Sequence, residues 1–197
     1  MKMTQKINFE ENVLEWIQKK KRIEGELSST RKQNVVPVGD EFESIRAQLD
    51  YFVDNVAYLT ARRTKGGIFT VDAEDDVQDL LFTMLKPSFP SLVFEDPDSK
   101  GAASYAIKDL YFPMSKVVLE AKYISSPKDV KSIEKQLHDD IMKYSGTERC
   151  NAIIFFIYDP NFSISDRRQF VEKMSQEKGK FMRDGRHITI TTIIKPS

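Results

Sequence analysis

The stretch Lys116-Val117-Val118-Leu119-Glu120-Ala121-Lys122-Tyr123-Ile124 decides the fold. It is an apolar strand pattern that carries a carboxylate and an ammonium two residues apart. Side chains at i and i+2 on a strand share a face, so Glu120 and Lys122 point the same way. Their neighbours Val117, Val118, Leu119 and Ala121 read as buried. A buried charge is costly unless it is paired or binds a metal. Just upstream, residues 104–112 read as another strand, and it contains an acid of its own in Ile107-Lys108-Asp109-Leu110-Tyr111-Phe112.

Pro113-Met114-Ser115 separates the two strands. A four-residue loop over 113–116 is a common hairpin length. It puts Phe112 opposite Val117 and, counting back from the loop, Asp109 opposite Glu120. Directly opposed residues share a face with Cβ atoms about 5 Å apart. Two carboxylates that close repel unless a cation lies between them. A slip of one residue sends Asp109 to the other face, and a slip of two restores it as a diagonal neighbour. A metal site therefore depends on an even register.

Working outward, residues 73–86 read as a helix with Val77, Leu80, Leu81 and Met84 inward, stopped by Pro87 and Pro90. Residues 91–95 read as a short strand. After the central hairpin come a helix over 127–145, with Val130, Ile133, Leu137, Ile141 and Tyr144 as its stripe, and the strand Ala152–Tyr158. That strand is apolar throughout, which means burial on both faces. A helix from Ser165 or Asp166 to about Lys178 and a β-branched strand over 187–194 close the chain. The order α-β-β-β-α-β-α-β predicts an α+β fold, a mixed sheet covered by helices. Before it, residues 8–27 and 40–63 read as two amphipathic helices, a helical hairpin. Arg62-Arg63-Thr64-Lys65-Gly66-Gly67 reads as a hinge, so the expected division is an N-terminal helical region, 1–67, and a main domain, 68–197.

With 40% hydrophobic and 30% charged residues, the chain has the composition of a globular protein rather than a disordered one. Thirty basic residues balance thirty acidic ones, so any basic surface that attracts nucleic acid must be local. The cluster Lys19-Lys20-Lys21-Arg22 is either a solvated helix face or a phosphate-contacting patch. Cys150 is the only cysteine and reads as a packing residue. No apolar signal core and no run of about 18 apolar residues is present, which makes the cytoplasm the expected location and a membrane partner unexpected.

Asp109 and Glu120 are oxygen donors with no cysteine or histidine nearby, which favours Mg²⁺ (or Mn²⁺) over zinc. Lys122, on the same face, is placed to orient or deprotonate an attacking water and to offset transition-state charge. Two carboxylates, a divalent cation and a lysine are the parts of a phosphodiester-cleaving centre. The plainer alternative is an exposed strand with an ordinary Glu–Lys pair. Of Glu74, Asp75 and Asp76, which open the first core helix, Glu74 lies closest to the inward stripe and is the candidate for an additional metal-linked acid. The alternative role for all three is favourable charge at a helix N-terminus. Glu95 is a further candidate acid. His138 reads as surface, and no Ser-His-Asp, Cys-His or phosphate-cradling glycine arrangement is present.

Asp109 followed by Glu120-Ala121-Lys122 resembles the PD-(D/E)xK nuclease superfamily, and the order of elements resembles its α-β-β-β-α-β core. Asp76-Val77-Gln78-Asp79-Leu80-Leu81, Asp139-Asp140-Ile141-Met142-Lys143-Tyr144 and Phe156-Ile157-Tyr158-Asp159-Pro160 narrow the resemblance to GATC-cleaving restriction endonucleases of the DpnII/MboI type, over residues 72–165. The resemblance implies Mg²⁺-dependent cleavage of DNA, with Asp109 and Glu120 as metal ligands and Lys122 as the catalytic lysine. It also implies a place in a prokaryotic restriction or anti-phage defence system. The amphipathic N-terminal helices make a homodimer the expected form of self-association. The contrasting expectation is a nuclease-like binding or assembly module, docking a partner such as an ATPase through residues 1–67.

Overall fold

The computed structural model describes residues 38–61, 69–97, 107–145, 147–176, 182–183 and 186–197. The first expected helix and its basic cluster lie outside the described residues. The chain divides into a unit over Met1–Pro37 and a compact unit over Val38–Ser197. The compact unit contains helices α1 (Val38–Leu49), α2 (Phe52–Thr60) and α3 (Glu74–Leu85), strands β1 (Val93–Pro97), β2 (Ile107–Phe112) and β3 (Val117–Tyr123), then α4 (Val130–Ser145), β4 (Ala152–Tyr158), α5 (Arg167–Gln176), β5 (Met182–Arg183), β6 (Arg186–His187) and β7 (Thr189–Lys195).

Five strands form one sheet in the order β1-β2-β3-β4-β7, and β5 pairs with β6 alone. β2 pairs antiparallel with both β1 and β3, while β3, β4 and β7 are parallel. Antiparallel neighbours can be joined by short loops, whereas parallel ones need a crossover. α4 supplies the crossover from β3 to β4, and α5 lies in the one from β4 to β7. The α+β architecture expected from the order of elements is the one observed. The β5–β6 ribbon was not expected, because two-residue strands carry no periodicity.

Both faces of the sheet are covered. Leu110, Phe112, Leu119, Ala121, Ile154 and Phe156 pack against Val77, Leu81 and Leu85 of α3 and Ile45, Leu49 and Phe52 of α1 and α2. On the other face, Tyr111, Val118, Ile153, Phe155 and Ile157 pack against Ile133, Leu137, Ile141 and Tyr144 of α4 and Phe170 and Met174 of α5. All seven residues of β4 are buried, as continuous apolarity requires.

The single helix expected over 40–63 is two, broken at Asp50-Tyr51. The apolar spacing runs on through the break, and Asp50 within it accepts a bond from Lys195 Nζ of β7 at 2.8 Å. Ile45, Leu49 and Phe52 are fully buried in the same cluster as the sheet. The compact unit therefore starts at Val38 and includes helices that the expected boundary at residue 67 set apart.

Candidate active site

The β2–β3 hairpin has the expected register. Phe112 faces Val117, Tyr111 faces Val118 and Leu110 faces Leu119. The next step would put Asp109 opposite Glu120, and there the ladder ends. The N–H of Ala121 donates to Asp109 Oδ2 at 2.8 Å. A side-chain carboxylate thus takes a bond that an unbroken ladder would give to a backbone carbonyl. The other edge of β2 is irregular at the same level. Phe94 pairs with Leu110 and Asp96 with Lys108, while Glu95 between them has a left-handed backbone, φ 50°. A non-glycine residue there costs about 1 kcal/mol or more, and such positions cluster at functional sites.

Glu120 is 3% exposed. Its Oε1 accepts a bond from the Tyr144 hydroxyl of α4 at 2.6 Å. Burial raises the Glu120 carboxyl well above its usual range, and the charge of Asp109 raises it further. Asp109 is held up to about 6, chiefly by burial; Lys122 and the Ala121 amide pull the other way. Burial, then the charge of Glu120, pushes the Tyr144 phenol up, so it stays protonated and donates.

Lys122 is 6% exposed. Its ammonium donates to Glu74 Oε1 at 2.9 Å. Burial alone would depress the lysine; Glu74, then Asp109 and Glu120, outweigh it and hold the ammonium charged. Glu74 is the first residue of α3, which brings the helix N-terminus to the end of β3. Its neighbour Asp76 does the capping, accepting bonds from the N–H groups of Asp72 and Ala73 at 2.9 Å each. The acidic opening of α3 thus divides its work: one carboxylate closes the helix and another reaches the strand lysine.

Asp109, Glu120, Lys122 and Glu74 converge, then, but Glu74 meets the lysine rather than the two acids. Two residues to which the sequence assigned no site role join them. Tyr144 reads as part of its helix's apolar stripe and, with Asp140, of the segment 139–144 that carries the resemblance. Asp140 is 7% exposed, pairs with Lys143 at 2.9 Å, and lies close enough to raise both Asp109 and Glu120. Their four-residue spacing puts both on one helix face and was the signal available. Glu95 is exposed and makes no described contact with these groups. His138 Nδ1 lies 2.7 Å from the Glu134 carbonyl oxygen, a local helix contact. Cys150 is buried.

A family model described as REase_DpnII-MboI matches residues 43–190. The chain belongs to this restriction endonuclease family. The match takes in α1 and α2 as well as the sheet, so part of the region before residue 67, which sequence reasoning left unassigned, lies inside the family's span. Membership carries DNA-cleaving hydrolase chemistry with it. No curated protein and no solved structure matches the chain.

The family's usual divalent metal is a matter of donor chemistry here. Among the described residues, no group of three or more His, Cys, Asp or Glu side chains is arranged to hold a metal ion. Two carboxylates remain: burial raises both, Asp109 raises Glu120 further, and Glu74 and Asp140 raise Asp109 further. Mg²⁺ asks for no more than one or two carboxylates, with water and substrate phosphate completing its octahedron. The pair fits that demand. Among the described residues, no helix is long and apolar enough to cross a membrane.

Proposed function

We propose that the chain is a Mg²⁺- or Mn²⁺-dependent endonuclease that hydrolyses phosphodiester bonds in DNA. The observation that supports this most is the meeting of Asp109, Glu120 and Lys122 where the β2–β3 ladder ends. In this reading Asp109 and Glu120 hold the cation, and Lys122 is the catalytic lysine. A divalent cation bound there would polarise the phosphate and lower the pKa of its water. The ammonium of Lys122, kept charged by Glu74, offsets negative charge on the phosphate in the transition state rather than accepting a proton. Glu74 acts on the lysine and is a metal ligand only if that pair opens. Residues 1–67 remain the candidate for association between copies or with a partner protein, and a restriction or defence role follows if the substrate is foreign DNA.

The test is cleavage of duplex DNA, single-stranded DNA and RNA with Mg²⁺ or Mn²⁺, by the parent chain and by Asp109→Asn, Glu120→Gln and Lys122→Ala. Each substitution is expected to lower DNA cleavage by a thousandfold or so, the scale of losing a group that stabilises charge in the transition state. The circular dichroism spectrum should be unchanged. Cleavage undiminished in Glu120→Gln, or independent of divalent metal, is incompatible with this function.

A further inference from the structure

We infer that Tyr144 is a positioning residue for Glu120: by holding Oε1 it leaves Oε2 as the single oxygen that Glu120 presents to a divalent cation. The inference rests on the nuclease reading of the site and names a residue outside it.

Three observations carry it. First, Tyr144 is 1% exposed and its hydroxyl donates to Glu120 Oε1 at 2.6 Å. That length is the one found where a hydroxyl donates to an ionised carboxylate, the form in which Glu120 would hold a cation. Among the described residues it is the one side-chain bond that Glu120 takes. Second, the phenol ring has a buried cation beside it. The fully buried Lys108 ammonium lies 6.0 Å from the Tyr144 ring centroid and 4.9 Å from that of Tyr111. Lys108 in turn donates to Asp96 Oδ2 at 3.2 Å, and Arg149 Nη2 donates to the same oxygen at 2.8 Å. The chain Asp96–Lys108–Tyr144–Glu120 links β1, β2, α4 and β3.

Third, Asp109 is divided in the same way. Its Oδ2 is taken by the Ala121 N–H. Among the described residues, each acid therefore has one oxygen bonded to the protein and one that is not. A pair of single oxygens leaves room for the waters and phosphate that Mg²⁺ requires around it. If Glu120 were released at Oε1 it could turn, or bind through both oxygens and displace a water. Loss of such an outer partner typically weakens metal binding tenfold to a hundredfold.

Mn²⁺ binding to the full chain without DNA, followed by the electron paramagnetic resonance of the free ion, tests this. Tyr144→Phe is expected to raise the Mn²⁺ Kd about tenfold to a hundredfold. The Mg²⁺ needed for half-maximal cleavage should rise in parallel, with cleavage at saturating metal within a few-fold of the parent. Leu137→Ala, in the core under the same helix, controls for lost packing: it should lower the melting temperature and leave the Kd unchanged. A Kd that does not move in Tyr144→Phe, or that moves equally in Leu137→Ala, overturns the inference. Should Tyr144→Phe not fold, crystals of the parent chain soaked in Mn²⁺ decide. A peak about 2.1 Å from Oε2, with Tyr144 still on Oε1, supports the assignment, and metal on Oε1 overturns it. No Mn²⁺ binding and no cleavage by the parent removes the nuclease function itself, and this inference with it.

Discussion

At the scale of single residues, the site stores unfavourable electrostatics that a cation would relieve. Asp109 is held up to about 6 in the folded chain, mainly by burial, against about 4 when unfolded. Between those values the unfolded chain has released the proton and the folded chain has not. Metal-free stability is therefore greatest below about pH 4 on this account and falls as pH rises through about 6. At 1.36 kcal/mol per pH unit the Asp109 contribution is at most about 3 kcal/mol. Glu120 acts in the same direction. Melting temperatures in chelator, from pH 5 to 8, should fall less steeply in Asp109→Asn than in the parent. With Mn²⁺ the parent's fall should flatten, because the cation binds the ionised pair. Equal pH slopes in parent and variant would exclude this account. Glu74→Gln should behave differently. The Glu74 side chain is 37% exposed, so little stability is at stake. Lys122 loses its anchor, and the misplacement is expected to lower kcat by up to about a hundredfold, with the melting temperature nearly unchanged. The pairing of Asp109 with Glu120 was legible because a four-residue loop fixes register. Tyr144 was not, because its place in an apolar stripe already accounted for it.

At the scale of elements, the junction after β4 is a clasp around one buried acid. Asp159, fully buried, accepts bonds from the N–H groups of Ser163 at 2.7 Å and Ile164 at 3.1 Å, and from Arg167 at 2.9 Å. Its own N–H donates to the carbonyl of Lys195 at 2.7 Å. The Tyr158-Asp159-Pro160 ending thus joins β4, the start of α5 and the last strand, and its role is structural. Asp159→Ala leaves the buried amides of Ser163 and Ile164 without their acceptor, at about 1–3 kcal/mol each, and takes one acceptor from the half-buried Arg167, so about 3–5 kcal/mol of stability should be lost. For a chain of this size that lowers the melting temperature by roughly 10 °C. Cleavage per folded molecule, measured well below the transition, should persist; a loss of kcat without a loss of stability would reassign Asp159 to the chemistry. Strand and helix positions were largely legible from periodicity. The break between α1 and α2 was not, because Phe42, Ile45, Leu49, Phe52, Val56 and Leu59 keep helical spacing straight through Asp50-Tyr51.

At the scale of the whole molecule, the sheet is a wall with a core on each side, and α1 and α2 belong to one of them. A pair of glycines reads as a hinge in sequence, but which helices a sheet face recruits is a tertiary matter that local pattern does not carry. A chain starting at Val38 should remain folded. A chain starting at residue 68 loses Ile45, Leu49 and Phe52, three fully buried side chains worth about 1.5–3 kcal/mol each. That approaches the whole net stability of an ordinary domain. Thermal unfolding of the two truncations checks this: a cooperative transition is expected from the first alone, and one from both would place the sheet's core independently of α1 and α2. The end of the β2–β3 ladder has a further use. β3 lies in the middle of the sheet, and amides held by its ladders exchange with solvent only when the molecule unfolds. The Ala121 amide is held by a carboxylate instead. Its exchange rate is a built-in gauge of the centre, readable in the unaltered protein, one atom away from the oxygen on which catalysis would depend.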